Sequence, residues 1–265
     1  MNESAKGEWV ARVPHWFHSI DLGDGVTPPD TKSPEQLHTE LEAIRLPNLN
    51  DQTVLDIGAW DGFFSFQCEQ RGAARVLALD RFVWSMDLAV WAERTRSRAA
   101  AGRRSPHSGE APDGWAPVAL PGNAGFDTAH RILGRRVEER AVDFLSVDPE
   151  EIGSFDVVLF LDVLHHMRDL ERVAAFTRHL AILDTECNYF PGLEDRGLYQ
   201  FFGGTELDQD PTNWWSPNAK ALIGSCIAAG FRSAEIVAAY PPAAIPPNPS
   251  DSTPIRGRCV VHAFG

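Results

Sequence analysis

The sequence predicts an α/β protein with a doubly wound, mostly parallel sheet. Three observations lead to this class: apolar segments alternate with helical ones, a glycine turn follows the first apolar segment, and an acid ends the second. Strands that alternate with helices form parallel sheets through right-handed crossovers. Seven strands are predicted, at 53–58, 75–80, 137–144, 155–162, 180–186, 231–240 and 257–265.

Helices are expected between most of these strands. Ser33 and Pro34 open the first one, as an N-cap followed by proline at the first helical position. The predicted helices span 34–44, 61–71, 82–95, 126–133, 170–180 and 216–229. Residues 98–125 are rich in Gly, Pro, Ala and Arg, and we interpret them as an insertion that forms either a lid or a surface loop.

The composition excludes several classes of protein. The chain of 265 residues has a net charge of −13, and nucleic-acid binding depends on Lys and Arg that neutralise phosphates, so a nucleic-acid partner is not expected. The four cysteines are far apart, which predicts reduced core thiols. No apolar run approaches the ~20 residues of a membrane helix, and the first residues are unlike an export signal. We therefore expect a cytoplasmic protein without a membrane partner.

The first predicted strand leads into a turn that is suited to a nucleoside cofactor. Gly58 and Gly62 let the backbone turn tightly and let a ligand approach it, and the helix that starts near Asp61 points its positive end there. Asp80 ends the second strand, where a carboxylate can accept both ribose hydroxyls of an adenosine. Ligands of doubly wound sheets bind at these carboxyl ends.

Two details argue against a dinucleotide. The spacing from Gly58 to Gly62 is not GxGxxG, and Trp60 replaces the glycine that would approach a pyrophosphate. A third acid, Asp143, is expected to end the next strand, where it can bind an adenine amino group while Phe144 stacks on the ring. These residues favour a nucleoside ligand without phosphates.

Several motifs resemble those of one enzyme family. VLDIGAWDGFFSF, then ALD, AVDF and FDVVLFLDVLHH are similar to the successive motifs of class I S-adenosylmethionine (SAM)-dependent methyltransferases. The segments at 18–26 and 210–218 resemble the flanking motifs of the branch related to tRNA wobble-uridine methyltransferases. The resemblance covers residues 16 to 231. It implies a Rossmann-like seven-stranded sheet of order 3-2-1-4-5-7-6, with an N-terminal extension and inserted loops over the active site.

The resemblance also implies a cofactor and a domain plan. SAM would be converted to S-adenosylhomocysteine (SAH) in a domain at 51–265, and residues 1–50 would form the N-terminal extension or lid. The candidate cofactor-binding residues are Asp56, Gly58, Ala59, Trp60, Gly62, Asp80, Arg81, Asp143, Phe144, Asp162, Trp16 and His18. Where the branch often has Leu-Tyr-His, this chain has Leu164-His165-His166, which favours plain SAM over a carboxylated SAM.

The acceptor is expected at the end of the fourth strand. Asp162, His165 and His166 are the catalytic candidates, because imidazole can take a proton near neutral pH. His165 is interpreted as a base or acceptor contact, and the alternative is a histidine that forms a pocket wall or a cap. A metal bound by these three residues is not expected. The aromatics at 189–215 predict a pocket for a ring-bearing or amphipathic molecule.

The function expected from these residues is methylation of O or N on a small molecule, such as a natural-product, sugar-like or nucleoside-like intermediate in antibiotic biosynthesis. One alternative is a tRNA wobble-uridine methyltransferase, which would need a basic face from the arginines at 94–104. Another is a protein of the same fold that binds SAM without methylating. The oligomeric state stays open, and a dimer is compatible with the sequence.

Overall fold

The computed structural model describes residues 1–29, 31–101, 113–167, 170–204, 206–208, 210, 212–240 and 254–265. The chain divides into two compact units. The first consists of Met1–Glu42 and Leu46–Val147, and the second of Ala43–Arg45 and Asp148–Gly265. Residues 1–42 thus belong to the first unit, while the expected domain boundary near residue 50 stays a prediction.

The described residues contain eight α-helices and nine strands. The helices are α1 (Glu3–Val10), α2 (Pro34–Ala43), α3 (Phe63–Gln70), α4 (Leu88–Ala100), α5 (Ala124–Leu133), α6 (Pro149–Ile152), α7 (Glu171–Phe176) and α8 (Ala219–Ala228). The strands are β1 (Thr53–Ile57), β2 (Arg75–Leu79), β3 (Glu138–Arg140), β4 (Phe155–Leu161), β5 (Thr177–Tyr189), β6 (Tyr199–Phe201), β7 (Trp215–Pro217), β8 (Ser233–Tyr240) and β9 (Ile255–Phe264).

Seven strands form one sheet in the order β3-β2-β1-β4-β5-β9-β8. The strands β1, β2 and β3 pair in parallel, as do β4 and β5, whereas β9 runs antiparallel to both β5 and β8. The order equals the predicted 3-2-1-4-5-7-6, because β8 and β9 are the sixth and seventh predicted strands. The predicted fold class is therefore confirmed, and the central apolar strands are buried as a parallel sheet requires.

Several predicted boundaries are wrong, each for a local reason. The helix predicted at 82–95 begins only at Leu88, because Asp87 Oδ1 caps it by accepting from the backbone N of Ala89 and Val90. The helix predicted at 170–180 ends at Phe176. From Thr177 onward the chain pairs with β4 instead, so β5 is longer than predicted at both ends.

Four further elements were not predicted, namely α1, α6, β6 and β7. The N-terminal residues form α1, whose cap is the side chain of Asn2. Residues 199–217, where no strand is predicted, contain an antiparallel pair, β6 and β7, and this pairing includes Ser216 and Pro217. The helix α8 therefore begins after Asn218, whose side-chain oxygen accepts from the backbone N of Ala221 at 2.8 Å.

Some predictions fall outside the described residues. These are the central part of the insertion, at 102–112, and the proline-rich segment at 241–253. The described ends of the insertion extend α4 to Ala100 and start α5 at Ala124.

Candidate functional site

The turn after β1 depends on glycine for its shape. Gly58 and Gly62 have φ of 81° and 85°, the left-handed region that side chains disfavour. A Cβ on Gly62 would also lie 2.7 Å from the Phe126 ring and 2.8 Å from the Phe66 ring. The glycine at position 62 therefore lets α3 start directly against two buried aromatic side chains.

The amides of this turn are bonded within the protein. The backbone N of Gly58 and Ala59 both donate to the carbonyl of Leu79, at 2.8 and 3.2 Å. The backbone N of Trp60 donates to Asp80 Oδ2 at 3.2 Å. These three amides are therefore not free to bind a phosphate, which agrees with a ligand without phosphates.

Asp80 lies at the end of β2, as predicted, and is buried. Its carboxylate accepts from the backbone N of Trp60 and, through Oδ1, from that of Val83 at 2.9 Å. Burial raises the pKa of Asp80 to about 6 in spite of these bonds. A carboxylate has about four acceptor sites, so this one keeps capacity for ribose hydroxyls, and that role stays a prediction.

Asp56 has a partner inside the first unit. Its Oδ2 accepts from the Ser65 hydroxyl at 2.6 Å, which ties β1 to α3. Burial raises the pKa of Asp56 to about 6. The geometry gives Asp56 a structural role, whereas the predicted cofactor contact has no support from its hydrogen bonds.

Asp61 anchors a stretch of the N-terminal chain, residues 15–19, which we name the N-terminal strap. Its Oδ2 accepts from the backbone N of Phe17 at 2.7 Å and of His18 at 3.0 Å. The carboxyl group is almost fully buried, and this burial raises its pKa to about 7. The strap is held to the glycine turn by a side chain of the turn itself.

The strap also stacks on the turn through an aromatic residue that sequence reasoning missed. The Phe17 ring lies 3.9 Å from the Trp60 ring, at an angle of 8° between their planes. The predicted Trp16 is instead buried with its Nε1 3.3 Å from the carbonyl of Val10. His18 is buried, and its Nδ1 lies 3.9 Å from Asp61 Oδ2. Successive side chains of an extended segment point to opposite sides, and this alternation could have indicated that Phe17 faces away from the side of Trp16 and His18.

Trp60 is fixed from several sides. It has a φ of 49°, an uncommon value for a bulky residue. Its carbonyl accepts from the Trp84 indole at 2.8 Å. Its own indole Nε1 is buried and has no hydrogen-bond partner among the described residues.

Arg81 braces the segment that precedes α5. Its guanidinium donates to the carbonyls of Pro117 and Ala141, at 3.5 and 3.4 Å, and lies 5.8 Å from the centre of the Trp115 ring. These contacts hold residues 115–117 beside the end of β2. The predicted cofactor contact of Arg81 stays a prediction.

Asp143 and Phe144 do not end a strand, so that part of the prediction is wrong. The strand β3 stops at Arg140, and Asp143 begins a turn in which its carboxylate accepts from the backbone N of Leu145 and the Ser146 hydroxyl, both at 3.0 Å. Such short polar side chains bond to nearby amides and favour turns over strands. Phe144 is buried, and its predicted contact with adenine is untested.

In the second unit, Asp162 directly follows β4, as predicted. Its φ is 61°, and its side chain keeps 32% of its surface exposed. Its Oδ1 lies 2.8 Å from the guanidinium of Arg258 on β9. The backbone N of Asp162 donates to the carbonyl of Asp184 at 2.8 Å, which fixes the turn.

Arg258 belongs to a group of alternating charges that we name the charged cluster. Its members are Asp162, Asp184, Glu186, Asp208, Arg256 and Arg258. Arg258 also lies 3.2 Å from Asp184 and 3.3 Å from Glu186. Arg256 binds Glu186 through two hydrogen bonds, at 2.8 and 3.1 Å, and also binds Asp208. Four carboxylates thus surround two guanidinium groups, and sequence reasoning identified only Asp162.

His165 is buried beside this cluster. Its Nε2 is 3.9 Å from Asp162 Oδ1, and its Nδ1 is 3.5 Å from the Thr185 hydroxyl. Burial, assisted by the neighbouring His166, lowers the pKa of His165 to about 3. The ring is therefore neutral at neutral pH and a weak proton acceptor, which argues against the predicted role as a base and favours the alternative of a pocket wall.

His166 holds the segment that resembles a family motif. Its Nδ1 lies 3.1 Å from the Thr212 carbonyl and 3.0 Å from the Thr212 hydroxyl. The backbone N of Trp214 donates to the carbonyl of His165 at 2.8 Å. The contacts of its ring give His166 a positioning role for Thr212, while its predicted catalytic role stays a prediction.

The second unit also contains a cavity of about 380 Å³. It is lined by Leu164, His165, Met167, Leu170, Glu171, Tyr199, Trp215, Pro217, Ser225, Ala228 and Ala229. Two of the aromatic residues predicted for an acceptor pocket, Tyr199 and Trp215, lie in its wall. Within the described parts of the chain, no three His, Cys, Asp or Glu side chains are grouped to hold a metal, and no helix there is long and apolar enough to cross a membrane.

Comparison with known proteins gives structural likeness only. No family model matches the sequence, and no curated protein matches it either. Among solved structures, the N-terminal domain of EvdMO1 with SAH bound is similar, with a TM-score of 0.62 and 16% identity over 100% of this chain and 98% of that one. The fold is that of the class I methyltransferases.

Two further EvdMO1 structures agree with this fold. The N-terminal domain crystallised in the presence of SAH and D-fucose has a TM-score of 0.57 and 16% identity, over 100% of this chain and 97% of that one. The structure of EvdMO1 itself has a TM-score of 0.57 and 15% identity over 100% of this chain. This chain spans about half, 48%, of that EvdMO1 chain.

Proposed function

We propose that this chain is a SAM-dependent methyltransferase that acts on a small hydroxyl-bearing molecule, such as a sugar-like or nucleoside-like intermediate of natural-product biosynthesis. The observation that carries the proposal is the Gly58–Gly62 turn bonded to Asp80. This arrangement offers a buried carboxylate to a ribose and keeps the amides of Gly58, Ala59 and Trp60 away from phosphates. SAM is a nucleoside without phosphates, and the class I fold places its site at this edge of the sheet.

The residues of the first unit fit such a cofactor. Asp80 would bind the ribose, and the Gly58–Gly62 turn would lie along the cofactor. Trp60 would add an aromatic face and an indole N–H that has no partner among the described residues. Aromatic faces favour a neighbouring cation by ~0.5–2 kcal/mol, which suits a sulfonium. When bound, SAM supplies a methyl group that is already activated on a positive sulfur.

The chain itself then has to position the acceptor. Holding two reactants in a near-attack geometry can supply ~7–11 kcal/mol of the barrier. Asp162 is the proposed contact for the acceptor hydroxyl, because it follows β4, is part-exposed and is oriented by Arg258. His165 would act as a neutral wall and not as the base.

The charged cluster supports a polar acceptor. Its four carboxylates outnumber its two guanidinium groups, so the cluster carries a net negative charge that favours hydroxyl or amine hydrogens over an anionic group. The N-terminal domain of EvdMO1, which shares the fold, was crystallised in the presence of SAH and D-fucose. The net charge of −13 argues against tRNA as the acceptor.

Calorimetry with SAH tests the cofactor assignment. Wild-type protein should bind SAH and not NAD. Asp80→Ala should weaken SAH binding by roughly 10- to 150-fold, since hydrogen bonds to a charged group contribute ~1.5–3 kcal/mol. Glu8→Ala, which removes an exposed acid on α1, is the matched control and should bind SAH as the wild type does.

Asp80 also accepts from two backbone amides, so folding of the variant is checked by circular dichroism, and Asp80→Asn provides a second variant that keeps one oxygen. Unchanged SAH affinity in a folded Asp80→Ala protein would refute the assignment. Methyl transfer from labelled SAM to sugars, nucleosides and tRNA then identifies the acceptor class. SAH binding without any methylated product would instead support the non-methylating alternative.

A further inference from the structure

The cavity of the second unit has the size and walls of a binding site for a small organic ring. Its volume of about 380 Å³ falls within the ~300–1,000 Å³ of ligand pockets. Leu164, Met167 and Leu170 form an apolar side of it, and two small residues, Ala228 at the end of α8 and Ala229 directly after it, leave the space open.

Aromatic side chains of the β6–β7 hairpin shape the wall of the cavity. The rings of Tyr199 and Trp215 meet edge to face, at 6.2 Å and 86°. On the hairpin, Phe201 packs 5.0 Å from Trp215 while 61% of its own surface is exposed. Rings arranged edge to face offer flat surfaces on which a further ring can stack.

Apart from Glu171, the polar groups in the wall are neutral donors and acceptors. The Tyr199 hydroxyl and Ser225 Oγ share a hydrogen bond of 2.6 Å, and both hydroxyls have further bonding capacity. His165 is neutral. No Lys or Arg is found among the described residues that line the cavity, and Glu171 is the acid among them. Among the described lining residues, an anionic ligand would therefore find no cation to pair with.

The cavity wall shares a residue with the acceptor region. His165 lines the cavity, and its Nε2 lies 3.9 Å from Asp162 Oδ1. A molecule seated against His165 is thus separated from the charged cluster by one side chain.

We propose that this cavity binds a neutral, ring-bearing apolar part of the acceptor and leaves a polar, hydroxyl-bearing part to Asp162. The acceptor is then an amphipathic molecule, such as a glycosylated ring compound. The proposal rests on the proposed methyltransferase function. It adds that the acceptor has an apolar half, which the charged cluster alone does not require.

Two matched probes test the binding. Neutral 2-naphthol should bind the wild-type protein, and anionic 2-naphthoate, with the same rings, should bind at least about tenfold more weakly. Ala228→Phe fills the cavity and should weaken 2-naphthol binding by at least about tenfold. Ile227→Phe adds a ring at an exposed neighbouring position of α8 that does not line the cavity, and it should leave the affinity unchanged.

Photolabelling of the wild-type chain gives a second measurement that needs no variant. Neutral 4-hydroxybenzophenone should label Met167 or the residues Ser225–Ala229, which include the last turn of α8. An excess of 2-naphthol should compete with this labelling. Each of four results would overturn the proposal. They are labelling confined to other peptides, naphthoate binding as tight as that of 2-naphthol, undetectable 2-naphthol binding, and full 2-naphthol affinity in Ala228→Phe. SAH calorimetry on the same samples separates the two claims. SAH binding without naphthol binding refutes only the ring pocket, whereas a wild-type protein that does not bind SAH refutes the proposed methyltransferase function.

Discussion

Replacing Asp61 with alanine should release the N-terminal strap from the glycine turn. The Asp61 Oδ2 accepts from the backbone N of Phe17 and His18, at 2.7 and 3.0 Å, in a buried setting. Leaving a buried donor without its partner costs ~1–3 kcal/mol. Two such donors predict a loss of roughly 2–6 kcal/mol in the free energy that keeps the strap closed.

Hydrogen exchange monitored by mass spectrometry measures this directly. Amides in residues 13–20 of Asp61→Ala should exchange ~30-fold faster or more, because each 1.4 kcal/mol is a factor of ten. Asp61→Asn is the control: both bonds go to one oxygen, which an amide oxygen can replace, so the wild-type rate should persist. The reasoning fails if Asp61→Ala exchanges at the wild-type rate, or if Asp61→Asn opens as far as Asp61→Ala.

Three further predictions concern stability. Gly122→Ala should destabilise the first unit by several kcal/mol, because a Cβ there would lie 1.9 Å from the Val83 carbonyl oxygen; denaturant titration against Gly7→Ala, which has open space at its Cβ and lies in the same unit, checks this. Arg258→Met should cost ~3–5 kcal/mol, since it removes the guanidinium that pairs with the buried Asp184, and an equal midpoint for Arg258→Met and the exposed-site control Arg140→Met would contradict it. The pH dependence follows from three buried acids with raised pKa values: Asp56, Asp61 and Asp80. Because the folded state binds protons more tightly than the unfolded state, whose pKa is near 3.8, their contribution to stability is present at low pH and is lost as pH rises to about 7. The difference in melting temperature, Asp61→Asn minus wild type, should therefore be more positive at pH 8 than at pH 5. An equal difference at both pH values would refute the sign.

The sheet and the cofactor turn could be predicted because their signals are local. The strand β1, the glycines and Asp80 lie within 28 residues, from Thr53 to Asp80, and each is visible as an apolar run, a turn residue or an acid. The strand order required the resemblance, since local patterns do not decide which strands are neighbours. Asp143 was misplaced because an apolar neighbour, Phe144, made a turn look like a strand.

The charged cluster could not be predicted in this way. Arg258 meets Asp162 and Asp184 only because β9 folds back between β5 and β8. Nothing near Arg258 in the sequence separates it from a surface arginine. Burial likewise decides the charge of His165. The sequence predicted where this residue lies, but its predicted role as a base is not supported.

The late position of β9 has a consequence for synthesis on the ribosome. Arg258 stands 74 positions after Asp184, and Arg256 stands 70 positions after Glu186. At ~5–20 residues per second, the acids of β5 would wait roughly 4–15 s for their cationic partners. During that interval the nascent chain already contains the glycine turn and Asp80, whereas the acceptor side still carries unpaired carboxylates that repel one another. The proposed acceptor site is therefore assembled last, and a nascent chain that has not yet reached residue 258 would have the cofactor residues without a finished acceptor region.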